Sequence, residues 1–383
     1  MKNQTAKSGS TLDKKQFIQD LSQLISFKTL TADIQENKKA LDFIESKITS
    51  QANIKRLTNG KAQILIASNK NTKTPDVCYI VHVDVVAGKS EQFSIKMKKQ
   101  VMFGRGVSDM KFSIPIGYFL LNELIEKKSN ISFSLVITTD EETGGFEGAQ
   151  FLAKKYGLKP KLLVVPDGGD DFVFISKSKG VCALRIDATG VPAHASRMWM
   201  GKNALEPIIK LCNEVLKRYE KNNKKESWKT TVNIGKINGG ISANQVCPEA
   251  YAILDFRFPK TTTFKAILAE VSELARKIDP TLKISTHSIG DPTSVDVNDP
   301  IVKMFIKTIE KSIGRKIKIE GAYGASDSRH FAFLNVPTLM IKPYGGDIHG
   351  DNENIDVDSC LIFTQALSDF LVQLEQKRDI KAW

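Results

Sequence analysis

The chain reads as an α/β protein: a mostly parallel sheet with helices on both faces, interrupted by an inserted βαββαβ domain. Three observations predict this. From residue 12 to 167, short apolar runs alternate with amphipathic stretches, the rhythm of strand–helix–strand units. After residue 181 the order becomes strand–helix–strand–strand–helix–strand, a ferredoxin-like arrangement. After residue 291 the first pattern resumes. The expected division is therefore a discontinuous domain, 1–180 with 291–383, and an inserted domain, 181–290.

Taken in order, residues 1–11 form a polar lead-in with no apolar core, so no secretory leader is expected. Residues 12–27 and 35–49 have helical periodicity, and short strands are expected near 53–56 and 62–67. CYIVHVDVV (78–86) is an apolar strand that ends in polar residues. FSIPIGYFLLNELIEKK (112–128) is a helix, its proline tolerable in the first turn. ISFSLVITT (131–139) is a strand running into DEETGG, 145–157 a helix stopped by a glycine, and KLLVVPD (161–167) a further strand. The insert contributes a strand (181–190), a helix (203–221), strands near 228–236 and 248–258, a helix (263–277) and a strand (281–287). The returning part holds a helix (298–312), strands near 316–320 and 336–342, and a last helix (357–376).

With 383 residues and ordinary apolar and charged fractions, the chain can bury large cores. No run matches the roughly 20 apolar residues of a membrane helix. The five cysteines are scattered, without a CxxC pair, which favours buried thiols in a reducing cytoplasm over a disulfide framework. The net charge of +12 comes from dispersed lysines with no nucleic-acid motif among them, so a solvated basic surface is expected and nucleic-acid or membrane partners are not.

The chemistry gathers where strands end. His82 and Asp84 close the strand 78–86, Asp109 lies in GRGVSDMK just before a helix, and Asp140-Glu141-Glu142 follows the next strand. Asp167 ends KLLVVPD, and His349 lies in the glycine-rich loop YGGDIHGDNENI. Ligands bind beyond the carboxyl ends of strands in such sheets, so these motifs share one rim. Imidazole and carboxylate are the donors of catalytic zinc sites. Three adjacent carboxylates repel one another unless cations compensate. Asp109 can bridge two ions with its two oxygens, one glutamate of the pair can bind metal, and the other is a natural general base. Asp84 can orient His82 through its second nitrogen. His194 belongs to the insert and local reasoning does not place it on the rim; His287 and His330 carry no motif.

Taken together, HVDVV, GRGVSDMK, TTDEETGG, VVPDGG, GVPAHAS with GKNAL, GGISANQVCPEAYAILDFR, GASDSR and HGDNE resemble, in order, the dizinc amidohydrolases that include acetylornithine deacetylase, succinyl-diaminopimelate desuccinylase and glutamate carboxypeptidase. The resemblance implies a zinc-peptidase catalytic domain with an inserted lid and dimerisation domain. It implies that His82 and Asp167 hold one Zn2+, Glu142 and His349 a second, and Asp109 both, with Co2+ or Mn2+ also compatible with these donors. Glu141 would be the base and Asp84 the partner of His82. His194 would polarise the scissile carbonyl, from the neighbouring subunit in dimeric relatives. Asn244 and Arg329 would bind substrate, Arg329 through a carboxylate. The implied substrates are N-acyl amino acids or short peptides with a free carboxylate. The chain departs from the pattern in lacking a proline after HVDVV, in carrying Met198 and Trp199 after the insert's histidine, and in having Asp167 where many deacylases have glutamate. The last tilts toward the carboxypeptidase and dipeptidase branch. A catalytically silent binding protein would have no chemical need for Glu141.

Overall fold

The computed structural model describes residues 11–378; of the polar lead-in expected over 1–11, only Thr11 falls within them. The chain divides into two compact units: Met1–Ser176, Val295–Gly321 and Ser326–Trp383 form the first, Lys177–Ser294 and Ala322–Ala325 the second. The expected boundaries at 180/181 and 290/291 lie four residues inside these.

The first unit begins with α1 (Lys14–Ser26) and α2 (Ile34–Ser46), each capped at its N-terminus by an aspartate, Asp13 and Asp33, that accepts from a backbone N–H of the first turn. A hairpin of β1 (Asn53–Asn59) and β2 (Ala62–Ser68) follows, then β3 (Val77–His82). A small hairpin absent from the sequence reading, β4 (Lys96–Lys98) and β5 (Val101–Phe103), precedes α3 (Ser113–Glu126) and β6 (Phe133–Thr138). The helix expected over 145–157 is shorter, with α4 at Ala149–Phe151 continuing as a wider turn over Leu152–Tyr156. Its first residues are held out of the helix because the Asp140 carboxylate accepts from Glu147 and Gly148 N–H at 2.9 and 3.0 Å. β7 (Leu162–Val164) and β8 (Phe174–Ser178) lead to the second unit.

The central sheet runs β1-β2-β6-β3-β7 and ends on a short strand, Thr338–Leu339. The pairs β6–β3, β3–β7 and β7 with Thr338–Leu339 are parallel, whereas β1–β2 and β2–β6 are antiparallel. Both β3 and β6 are buried at every position, as strands covered on two faces must be. Alternate residues of β3 serve opposite cores: Val77, Tyr79 and Val81 pack with α1, α2 and α3, while Cys78 and Ile80 pack with α4. With α3 on one face and α4 on the other, the carboxyl ends of β3 and β6 flank the crevice expected of a doubly covered sheet. Gly117 lets α3 lie against the sheet, since a methyl there would sit 2.7 Å from Leu135 Cδ1 and 3.1 Å from the Tyr79 ring.

The second unit holds β9 (Gly180–Thr189), α5 (Leu205–Tyr219), β10 (Thr231–Gly239), β11 (Glu249–Phe258), α6 (Phe264–Ile278) and β12 (Lys283–Gly290). Its antiparallel sheet has the order β10-β11-β9-β12, the ferredoxin-like topology. Burial along β11 alternates, so one face packs on α5 and α6 around Leu184, Leu211, Val215, Leu254, Phe256 and Val271.

The chain then returns through β13 (Thr293–Ser294), α7 (Pro300–Ile313) and β14 (Ile319–Ala322). The strand expected over 336–342 shrinks to β15 (Thr338–Leu339), bracketed by Pro337 and Pro343, which offer no N–H for pairing. β16 (Gly345–Gly346), β17 (Asn354–Asp356) and α8 (Val357–Arg378) complete it. By length and composition alone α8 could cross a membrane, contrary to the sequence reading of apolar runs. However, Cys360, Phe363, Leu367, Phe370, Leu371 and Leu374 on it are buried in the core shared with α1 and α3, which marks it as a core helix.

Candidate metal centre

Six side chains gather beyond the carboxyl ends of β3, β6 and β7. His82 is the last residue of β3 and is buried. Glu141 and Glu142 open a tight turn after β6, and Asp167 follows β7. Asp109 lies in an irregular turn, Val107–Lys111, entered through Gly106 at φ +78°, where a side chain would strike Val85 Cγ1. His349 is on the loop between β16 and β17, and the Asp109–Met110 peptide is cis.

Ligand atoms of His82, Asp109 and Asp167 lie within 4.8 Å of one another, and so do those of Asp109, Glu142 and His349. Asp109 belongs to both groups: its Oδ1 is 3.3 Å from His82 Nε2 and its Oδ2 is 3.1 Å from His349 Nε2. His349 Nε2 is also 3.3 Å from Glu142 Oε2. His82 Nε2 is buried yet makes no hydrogen bond of acceptable geometry, even to Asp109. An orphaned imidazole nitrogen among acidic oxygens is what a cation would satisfy. The donor set therefore fits two ions sharing one carboxylate.

The electrostatics agree. Desolvation, then the Asp109 charge, pushes Asp167 up to about 8. Desolvation followed by the Asp167 charge drives Glu141 well above the carboxylate range, and Glu142 is raised chiefly by desolvation. Burial opposes ionisation of Asp109, but contacts from His349 and His82 overcome it and hold the carboxyl below its ordinary value. Burial would lower His82; the Asp109 and Asp84 carboxylates reverse this and raise it. A cation placed at the centre would relieve the opposition among these carboxylates.

Asp84 contacts both His82 and the turn that follows β6. His82 Nδ1 faces the main-chain carbonyl of Asp84 at 3.0 Å, and the Asp84 carboxylate stands farther away, at 3.5 Å. That carboxylate also accepts from the N–H groups of Glu141 and Glu142, each at 3.2 Å, and from Thr31 Oγ1 at 2.7 Å. Asp84 thus fixes the turn that presents both glutamates.

Arg329 Nη2 donates to Gly144 O at 2.7 Å, where the same turn ends, and His330 Nε2 lies 2.8 Å from that oxygen. His194 and Asn244 are in the second unit, on adjacent segments: residues 194 and 245 form an isolated bridge and Ala195 N–H donates to Asn244 O at 2.8 Å. The His194 ring faces Ser196 Oγ at 2.7 Å, and Asn244 Oδ1 accepts from Ser242 Oγ.

Sequence reasoning overlooked several supports. Glu353 is buried and accepts from Arg105 and from the backbone of the Asp109 turn. Lys342, also buried, places Nζ 2.8 Å from Asp170 Oδ1 and 3.5 Å from Ser108 O, linking the loops that carry Asp167 and Asp109. Glu353 and Arg105 both stood inside motifs already recognised, HGDNE and GRGVSDMK, and that was the available signal.

The model of peptidase family M20/M25/M40 matches residues 78–373. Among curated proteins, a probable carboxypeptidase of Aspergillus clavatus is 27% identical over 299 residues, covering 76% of this chain and 70% of its own. A succinyl-diaminopimelate desuccinylase of Ehrlichia chaffeensis is 23% identical over 379 residues, covering 92% and 96%. Among solved structures, an M20 family metallo-carboxypeptidase from Sulfolobus solfataricus superposes with a TM-score of 0.78 at 18% identity, covering 94% of this chain and 99% of that one. Human carnosine dipeptidase 1 gives 0.72 at 12% identity, covering 95% and 96%.

Proposed function

From its place in peptidase family M20/M25/M40, to which the chain belongs, we propose that this metal-dependent hydrolase uses two zinc ions to cleave an amide bond next to a free carboxylate. N-acyl amino acids and short peptides are the substrate classes. The observation that carries this reading is the sharing of Asp109 between the two ligand groups, with Glu141 held beside them by Asp84.

His82 and Asp167 would hold one ion, Glu142 and His349 the other, and Asp109 would serve both. When bound, the ions supply Lewis acidity at the carbonyl and lower the pKa of a water. Glu141 is placed to accept a proton from the attacking water and to pass it to the leaving amine. Asp84 keeps Glu141 aimed by gripping its N–H. Arg329 and Asn244 are assigned to substrate, and His194 to the carbonyl oxygen, in keeping with a homodimer. A reducing cytoplasm suits the five buried free thiols.

The test is hydrolysis of a matched panel, N-acetyl and N-succinyl amino acids beside dipeptides, by the zinc-loaded and the chelated protein. Chelator-sensitive release from acylated amino acids alone identifies a deacylase, and release from dipeptides alone a peptidase. Glu141→Gln should lose about 10²–10⁴-fold in kcat with zinc still bound. Full activity in that variant would remove Glu141 from the base role, and no turnover on the whole panel with two zincs bound would refute the substrate assignment.

A further inference from the structure

The Glu353 carboxylate sits at a junction that the reaction itself does not require. It is buried, and Oε2 accepts from Arg105 Nη1 at 2.7 Å and Gly106 N–H at 2.9 Å. Oε1 accepts from Ser108 N–H at 3.0 Å and Asp109 N–H at 3.1 Å. The other arm of Arg105, Nη2, reaches His349 O at 3.0 Å, and Gly104 N–H donates to Glu353 O. One buried ion pair therefore grips the backbone of two ligands at once, Asp109 and His349. Both belong to the Asp109–Glu142–His349 group, whereas only Asp109 belongs to the group with His82.

We propose that Arg105 and Glu353 are positioning residues that set the Asp109–His349 spacing and thereby tune the affinity of the second ion. The inference rests on the two-ion reading above. The clamp acts on His349 itself: Gln92 Nε2 ties Gly350 O at 3.0 Å and Lys89 ties Asp351 at 2.6 Å, whereas Arg105 holds the main chain of His349, which sits at φ +63°, a conformation unusual for a residue with a side chain, with its own side chain half exposed. The bidentate carboxylate matches four N–H donors in two pairs. A glutamine would turn an NH2 group toward one of those pairs. A lysine at 105 retains the charge but cannot fork between Glu353 and the His349 carbonyl.

The experiment is a zinc titration of the metal-free protein against a chromophoric competitor, for wild type, Glu353→Gln and Arg105→Lys, with the melting temperature of each metal-free form. Outer partners of metal ligands typically contribute roughly 10–100-fold in affinity. Both variants should therefore bind the second zinc about that much more weakly while the first weakens less, and Arg105→Lys should do so with its metal-free melting temperature near wild type. Two zincs bound by both variants with wild-type affinities would overturn the clamp. Equal weakening of both ions, tracking a fall in metal-free melting temperature in both variants, would reduce it to a general stabilising contact and overturn it as well. If wild type binds only one zinc, the two-ion reading itself fails, a result separable from either.

Discussion

Replacing Asp84 by asparagine tests how the base is aimed. Asp84 is fully buried, and each of its oxygens has a backbone N–H to satisfy: Oδ1 takes that of Glu141 and Oδ2 that of Glu142, with Thr31 Oγ1 also on Oδ2. Asparagine has one acceptor oxygen. If its NH2 group replaces Oδ2, the Thr31 hydroxyl can turn to accept, but Glu142 N–H faces a donor. In the other orientation Glu141 N–H does. Either way one hydrogen bond to a charged acceptor is lost from the catalytic turn, at about 1.5–3 kcal/mol. If that loss is felt in the transition state, kcat falls roughly 10- to 100-fold. Thr31→Val removes a single hydroxyl contact and should cost about 3- to 10-fold, from roughly 0.5–1.5 kcal/mol. The assay is steady-state kinetics on the best substrate of the panel, with zinc occupancy measured on the same samples. The expected pattern is a fall in kcat with little change in KM at full occupancy. An Asp84→Asn enzyme retaining more than about half of wild-type kcat would refute the positioning argument, since less than a twofold loss is under about 0.5 kcal/mol.

Two further perturbations probe the scaffold. Gly117→Ala should destabilise the protein by about 1–2 kcal/mol in urea unfolding, because crowding against the Tyr79 ring and Leu135 outweighs the gain of roughly 1 kcal/mol in helix propensity; a net gain in stability would contradict the packing. Burial, followed by the Arg329 charge, holds His330 down at about 3, below its ordinary 6.5. Between those values the unfolded chain takes up the proton and the folded one does not, so stability falls as pH drops from 6.5 toward 3, by up to about 1.4 kcal/mol per pH unit. His330→Gln should flatten that slope between pH 6.5 and 5, and identical slopes would show that His330 is not the group responsible.

The placement of chemistry on the strand ends was legible because VCYIVH and FSLVIT are buried on both faces, and such strands show as apolar runs that stop where the chain meets the crevice. Spacing showed nothing of the second set of Asp84 contacts, to the N–H groups of Glu141 and Glu142, because those residues lie more than fifty positions along the chain. The antiparallel pairings of β1 with β2 and of β2 with β6 left no trace in periodicity, because pairing direction does not alter which residues are apolar. Glu353 and Lys342 could be seen as polar residues but not as supports. Their partners lie far along the chain, in the turn around Asp109 and the loop after Asp167, and such contacts have no local pattern.

The split of the first unit has a consequence for how the chain is made. Apart from Ala322–Ala325, the second unit is contiguous, and its core residues lie between Cys182 and Ile284. All of them are synthesised before the last third of the first unit. The second unit can therefore condense early, as domains generally do during synthesis. The first cannot: β7 waits for β15, and α1 and α3 wait for α8 to cover their apolar faces. During that interval the edge of β7 is unpaired and apolar, the condition under which chains associate wrongly. Because His349 and Glu353 arrive in the same late segment, the paired ligand groups exist only once nearly the whole chain is out. Metal capture is thereby coupled to completion of the fold.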